Sequence, residues 1–343
     1  MTRKENEKPK PSAVSRIDYI DFLKTIGLGG IIAAHSGSPG WVIMLRCFDV
    51  PLMVILSAIL GIMSYRRKNG SPSARKDYYL SRVKRLIIPT WLFLILYFLY
   101  ELIADGSIHP FRYYLNSFLL TNYGIDYVWI MLIYLYGALM IPFFSRLKPS
   151  IRIYLGLALL YTLYEIAFGL KLGTGSGILR STFYYIIPYG MLTFLGCRFG
   201  SQSHKTHLAI AATGLAVFAA MAIYYRLTTG SFLSVQTAKY PPRLYFLAYG
   251  TGCSFTLLSF CERFRLKVYS HPWIRFISAH SLWIYLWHIL VLDIYKKLHL
   301  PGIWYVKWFV VFLASIGIVL LVNKILDKMN AGKEHFLLSF FRG

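Results

Sequence analysis

Eight ionisable side chains stand within strongly apolar stretches of this sequence: Asp21, Lys24, His35, Arg46, Asp49, Glu165, His288 and Asp293. A lone charge at the centre of a bilayer costs about 2.5–3.5 kcal/mol, so such residues face a cavity or a partner. They are the first places to look for chemistry. Lys24 and His35 lie eleven positions apart. On a helix that spacing returns to within about 20° of its starting direction and climbs about 16 Å. Ammonium and imidazole then share one stripe at different depths. A long, thin ligand with phosphates at one end and a reactive group at the other fits such a stripe. The competing reading is architectural: Lys24 snorkels to the headgroups and His35 closes the far end of the helix. Spacing and residue type alone favour that second reading.

Two more groupings are chemically suggestive. In Tyr79-Leu-Ser-Arg-Val-Lys-Arg-Leu-Ile-Ile-Pro89, Arg82 and Arg85 are three apart and share a helical face at the membrane surface. Paired guanidinium forks suit phosphate, although a basic cluster that stops a membrane segment looks the same. In Ser281-Leu-Trp-Ile-Tyr-Leu-Trp-His288, Ser281, Tyr285 and His288 occupy nearby faces of one aromatic helix. His288 is there either hydrogen-bonded to a neighbour or serving as a base or ligand-orienting group. His288 and Asp293 also have the His-x4-Asp spacing of glycerolipid acyltransferases, but five helical positions point about 140° apart.

The elements that must position these groups are membrane helices. Hydrophobic residues make up 57% of the 343-residue chain and charged residues 15%. A soluble domain carries about 25% charged residues, so this chain cannot cover an aqueous surface of its size. Ten apolar segments are predicted as helices, near Tyr19–Ser36, Trp41–Tyr65, Leu86–Ala104, Tyr127–Phe144, Ile153–Leu170, Phe183–Cys197, Leu208–Tyr225, Leu244–Cys261, Leu282–Tyr295 and Ile303–Val322. Of the 37 Lys and Arg, 26 fall on the amino-terminal side of this map, 8 on the other, and Lys24, Arg46 and Lys307 inside segments. The excess of basic residues marks the cytoplasmic side. The expected fold is an all-α integral membrane protein, a single bundle of about ten transmembrane helices with both termini cytoplasmic.

The net charge of +23 then reports topology and contact with anionic membrane lipids, and no nucleic-acid partner is expected. Residues 1–16 read as a disordered basic cytoplasmic tail and 327–343 as a cytoplasmic C-terminal tail. Asp21 and Lys24 interrupt the first apolar run, which reads as an uncleaved anchor. Cys47, Cys197, Cys253 and Cys261 have no metal-ligand spacing and read as core residues. No internal repeat stands out.

Together these segments resemble a family of multi-pass membrane acyltransferases, the acyltransferase-3 family. Asp21, Lys24 and His35 look like its first-helix Asp-x-x-Arg/Lys-x10-His motif, with Lys24 in place of the commoner Arg. Phe48–Ser57 is similar to its second-helix pattern, with Ala58 where Gly is usual. Arg82, Arg85 and Pro89 look like its basic loop, Asp126–Trp129 its fourth-helix entry, and Ser281, Tyr285 and His288 its Ser…Tyr-Leu-Trp-His signature. The likeness covers Arg16 to Leu326, and the membrane acyltransferase domain is set at 17–326.

That resemblance implies transfer of an acyl group, most often acetyl from acetyl-CoA, to a hydroxyl of a cell-surface or lipid-linked glycan in a bacterial plasma (inner) membrane. Arg82, Arg85 and Lys24 would hold the acyl-CoA donor from the cytoplasmic side. His35 would be general base or transient acyl carrier near the outer face, and His288 and Tyr285 would shape the acceptor side, although His288, from its place in the ninth segment, should sit nearer mid-bilayer than His35. No metal is expected. As the chain ends about twenty residues after its tenth helix, it would act alone or with a separate partner. The alternative is a transporter or flippase for an anionic or lipid-linked substrate, which intramembrane Lys, His and Asp also suit. The lack of an inverted repeat speaks against it.

Overall fold

The structure, a computed structural model, describes residues 17–68, 73–121, 123–148, 150–172, 177–329 and 340. The tail at 1–16 and nearly all of 330–343 lie outside them. Each of the ten apolar segments is helical. The order is α1 (Asp18–His35), a short α2 (Gly40–Leu45), α3 (Asp49–Lys68), α4 (Ala74–Arg82), α5 (Ile88–Asp105) and a short α6 (Phe111–Phe118). There follow α7 (Trp129–Phe144), α8 (Ile151–Gly169), α9 (Gly177–Arg198), α10 (His204–Thr229) and α11 (Leu244–Arg263). The chain closes with α12 (Pro272–Ala279), α13 (Ser281–Lys297) and α14 (Trp304–Met329). No named β-strand occurs among the described residues.

Seven described helical stretches are long and apolar enough to cross a membrane by themselves, or eight if α12 and α13, bent by 75° at their junction, form one broken span. This differs from the ten expected, and the reason is local. Asp18, Asp21 and Lys24 crowd into the first half of α1, and Tyr184, Tyr185, Pro188 and Tyr189 dilute the apolar run of α9. The bend before α13 is held by His280. Its Nδ1 donates to the Phe276 carbonyl at 2.9 Å, and its Nε2 accepts from Asn323 Nδ2 of α14 at 3.1 Å.

The outward faces are those of a protein solvated by lipid. Ile103, Leu159, Leu227 and Phe309 are exposed, which is too much scattered apolar surface for water. Helices α8 and α10 are the most exposed of the spans. The centre is built on α1 and α3, which pack on each other; α1 also meets α12, α13 and α14, and α3 meets α7, α9 and α11. Close approach depends on a missing side chain: a Cβ on Gly30 of α1 would lie 3.2 Å from the Asp49 Cβ of α3.

Candidate active site

Helix α1 carries the polar stripe. Lys24, Leu28 and Ile31 line one cavity, and His35 continues the same face at the helix end. Lys24 Nζ donates to the Ser278 carbonyl of α12 at 2.6 Å, and Ser278 Oγ donates to Asp21 Oδ1 at 2.5 Å. Asp21 thus pins the start of α1 to α12, and Lys24 does so while also facing the cavity.

The cavity, of about 560 Å³, opens at the end of the bundle where α1 begins. Between α4 and α5 the chain makes a π-helical turn, Val83–Ile87, a feature often found at functional sites. On either side of its first residues Arg82 and Arg85 face this cavity, and Arg67 from the end of α3 joins them. The Arg82 guanidinium also lies 5.0 Å from the Tyr78 ring centroid, which fixes its orientation. Four cations therefore gather near one mouth. Farther in, the walls are Met53, Leu56, Ile130 and Met131, with Ser281, Tyr134 and Tyr285 as polar points. Both Ser281 and Tyr285 thus belong to the basic cavity, whereas Tyr285 was expected on the acceptor side.

Beyond Tyr285 lies a histidine pair. The His35 and His288 ring centroids are 5.4 Å apart, and the Tyr127 ring stands edge-on to His35 at 4.7 Å. Sequence placed His288 nearer the middle of the bilayer than His35. The two rings instead meet, because α1 and α13 run side by side in the same direction: Lys24 reaches the turn just before α13, and His35 reaches its second turn. Tyr285 Oη donates to the Tyr127 carbonyl, linking α13 to the entry of α7.

His288 is fully buried, and its Nδ1 bonds the Tyr285 carbonyl one turn earlier. A carbonyl only accepts, so Nδ1 carries the proton and the neutral ring keeps its lone pair on Nε2. That nitrogen has no hydrogen-bond partner among the described residues. A bare imidazole nitrogen held this way suits proton abstraction or nucleophilic attack.

A second cavity, of about 350 Å³, opens at the opposite end of the bundle. Asp126, Trp129, Tyr185, Gln236 and Tyr240 line it. Next to it is a buried ionic cluster: Arg46 Nη1 pairs with Asp49 Oδ2 at 2.8 Å, and Arg46 Nη2 reaches Gln236 Oε1 at 3.4 Å. Lys239 is buried beside them, its ammonium 5.2 Å from the Tyr240 ring centroid. Burial pushes Lys239 below the usual lysine range, with Asp49 pulling the other way.

The remaining polar residues are satisfied by partners. Glu165 accepts from Arg243 Nε at 2.6 Å and Tyr161 Oη at 2.8 Å. Asp293 pairs with Lys297 at 2.8 Å, one turn along the same helix. The His-x4-Asp spacing therefore marks no shared site. Residues that sequence did not single out are Arg67, Tyr127, Tyr134, Gln236 and Lys239. Tyr127 sat inside the Asp126–Trp129 stretch and could have been found there. Lys239 sits in a loop with no periodic signal.

Helices that are long, apolar and exposed on their outer faces, around an interior that also holds buried charges such as Arg46 and Asp49, define an integral membrane protein. Residues 17–324 match the acyltransferase-3 family, described as an acyltransferase domain, and the chain belongs to that family. It is thus an integral membrane acyltransferase. No curated protein and no solved structure matches the chain.

Proposed function

We propose that this protein transfers an acyl group, acetyl in the first place, from acyl-CoA to a hydroxyl of a cell-surface or lipid-linked glycan, in a bacterial plasma membrane. One observation carries the reading: a cavity with four cations at its mouth runs past apolar walls to Tyr285, whose ring centroid lies 4.8 Å from that of His288, a member of the histidine pair. Its volume of about 560 Å³ lies within the range of small-molecule sites. Arg82, Arg85, Arg67 and Lys24 would bind the CoA phosphates by charge-assisted hydrogen bonds. The thin pantetheine arm would follow the α1 stripe, which climbs about 16 Å from Lys24 to His35.

The thioester carbonyl would then lie beside His35 and His288. As the acceptor oxygen attacks that carbonyl, an imidazole nitrogen takes the hydroxyl proton. The carbon–sulfur bond breaks next, and the CoA thiolate recovers the proton from the imidazolium. In a two-step route a His35 ring nitrogen would attack the thioester carbonyl and the CoA thiolate would leave, after which the acceptor hydroxyl would take the acyl group from the imidazole and give up its proton to His288 Nε2. Acceptor sugar would enter from the opposite cavity, where Trp129, Tyr185 and Tyr240 offer ring faces and Asp126 and Gln236 offer hydrogen bonds.

Two cavities separated by ionisable groups would also serve a transporter, and turnover separates the readings. Purified protein should release CoA from acetyl-CoA, faster with glycan present. Absence of turnover, together with uptake of glycan into vesicles, would favour transport. In the topology proposed here the basic mouth is cytoplasmic. Reporter fusions after Met329 should then be cytoplasmic, and those near Gly106 and Thr229 external; an external Met329 overturns that polarity. A fusion at Gly70, also expected inside, lies outside the described residues.

A further inference from the structure

A second constellation, away from both cavities, sits at the end of the bundle where α1 begins. Helix α10 starts there with Ser203 as its cap, whose Oγ accepts from Thr206 N. The first and fourth residues of that helix, His204 and His207, therefore project toward the end of α11. Both Nδ1 atoms converge on one carboxylate oxygen, Glu262 Oε2, at 3.2 Å from His204 and 3.1 Å from His207. The three ligand atoms lie within 4.8 Å of one another.

The partners of His207 suit a bound ion as well as a proton. Its ring is 1% exposed and stacked on Phe199 with centroids 4.1 Å apart. Its Nε2 meets the Phe199 carbonyl at 3.1 Å. That oxygen can only accept, so Nε2 carries a proton and the neutral ring turns a bare Nδ1 toward the carboxylate. Two lone pairs facing each other need a cation between them: a proton on Nδ1, or a metal ion. A histidine whose far nitrogen donates to a backbone carbonyl is the usual arrangement behind a metal ligand.

We propose that His204, His207 and Glu262 form a divalent-metal site, with zinc as the fitting ion. Zinc takes two imidazoles and a carboxylate at bond lengths of about 2.0–2.2 Å, which sets neighbouring tetrahedral ligands about 3.3–3.5 Å apart. The two histidine–carboxylate spacings need only a few tenths of an ångström of adjustment, whereas the two Nδ1 atoms, within 4.8 Å of each other, must close by up to about 1.4 Å, a movement open to the partly exposed His204 side chain. The ligand set disfavours magnesium and calcium, which need more oxygen donors. The His204 and Glu262 side chains are 38% and 32% exposed, so a fourth position is open to water. A bound ion would tie the end of α11 to the start of α10 and, through Phe199, to the chain leaving α9.

The test uses full-length protein in detergent, stripped with a chelator and titrated with Co²⁺ alone and then Zn²⁺. One equivalent of Co²⁺ should bind with visible d–d absorption, and Zn²⁺ should displace it. His204→Ala and Glu262→Gln should each weaken binding about tenfold or more, since loss of an outer-shell partner alone costs that much. His207→Gln removes a buried ring, so the partly exposed His204 provides the safer variant. Unaltered thermal unfolding of the metal-free variants in detergent shows that the fold stands. Lack of saturable one-to-one Co²⁺ or Zn²⁺ binding by the wild type overturns the site. So does unchanged affinity in both variants, and the cluster is then an imidazolium–carboxylate pair.

Discussion

The two cavities differ in charge and in wall. At the end where α1 begins, Lys24, Arg67, Arg82 and Arg85 surround the larger space without a facing acidic group among its lining residues. At the opposite end the lining is aromatic, with Asp126 as its charged member, and the nearby cations Arg46 and Lys239 are buried behind it. Uncompensated guanidinium groups at a mouth suit a polyanion. Ring faces with isolated hydrogen-bonding groups suit a neutral polyhydroxylated one. The difference teaches that cations near a membrane interior have separate uses: the guanidinium groups at the mouth face the cavity, Lys24 also ties α1 to α12 through Ser278, and Arg46 is engaged by Asp49.

The comparison can be broken first at its meeting point. His35→Ala should lower acyl transfer by about 10²–10⁴-fold, the usual worth of a positioned general base. Membrane insertion and acetyl-CoA affinity should stay unchanged, because the imidazole lies beyond the phosphate end of the cavity. Turnover near that of the wild type would remove His35 from the chemistry.

Arg46 and Asp49 test the engaged pair. Asp49→Ala leaves a guanidinium buried without its carboxylate and should cost about 3–5 kcal/mol of stability, read by thermal unfolding in detergent. Arg46→Met with Asp49→Leu should recover most of the loss, because the apolar pair leaves no buried charge. A double variant as unstable as Asp49→Ala would show that the pair does more than satisfy itself.

Arg82 and Arg85 test the mouth. Arg82→Ala and Arg85→Ala should each weaken acetyl-CoA binding about tenfold to a hundredfold, since each removes a charge-assisted contact worth about 1.5–3 kcal/mol. Arg→Lys should restore part of it, as a point charge cannot replace a two-pronged donor. Isothermal titration measures all four variants. Loss of binding in His35→Ala but not in the arginine variants would reverse the proposed polarity.

The smallest effect belongs to the aromatic end. Trp129→Ala should raise the KM for glycan up to about tenfold, in line with about 0.5–1.5 kcal/mol for an aromatic contact. Acetyl-CoA affinity should be untouched, and a fall in that affinity would mean that the two cavities are not separate sites.

Much of this was legible in the residues themselves. Apolar runs at membrane length give helices because a backbone in lipid must satisfy its hydrogen bonds internally, so all ten segments appear as helices. The Lys24–His35 stripe follows from the helical repeat alone, whatever packs around it. Composition varies among those helices, and the charged start of α1 and the tyrosines of α9 leave these two less apolar than the seven that could cross a membrane by length and composition alone. Local pairs such as Arg46–Asp49 and Asp293–Lys297, three and four residues apart, are spacings a sequence shows. Nothing local told that Glu165 answers Arg243, 78 residues away, or that Tyr285 faces the basic cavity.

Depth was the other hidden quantity. His35 ends its helix and His288 sits inside another, and counting along each chain segment set them at different levels. Their separation of 5.4 Å comes from the lateral and axial docking of α1 on α12 and α13, fixed by Lys24 and Asp21 on Ser278. Helical repeat is a property of one segment and is written in its sequence. The offset between two segments is set by side chains far apart in the chain, such as Lys24 and Ser278, and only the packed bundle brings them within hydrogen-bonding reach.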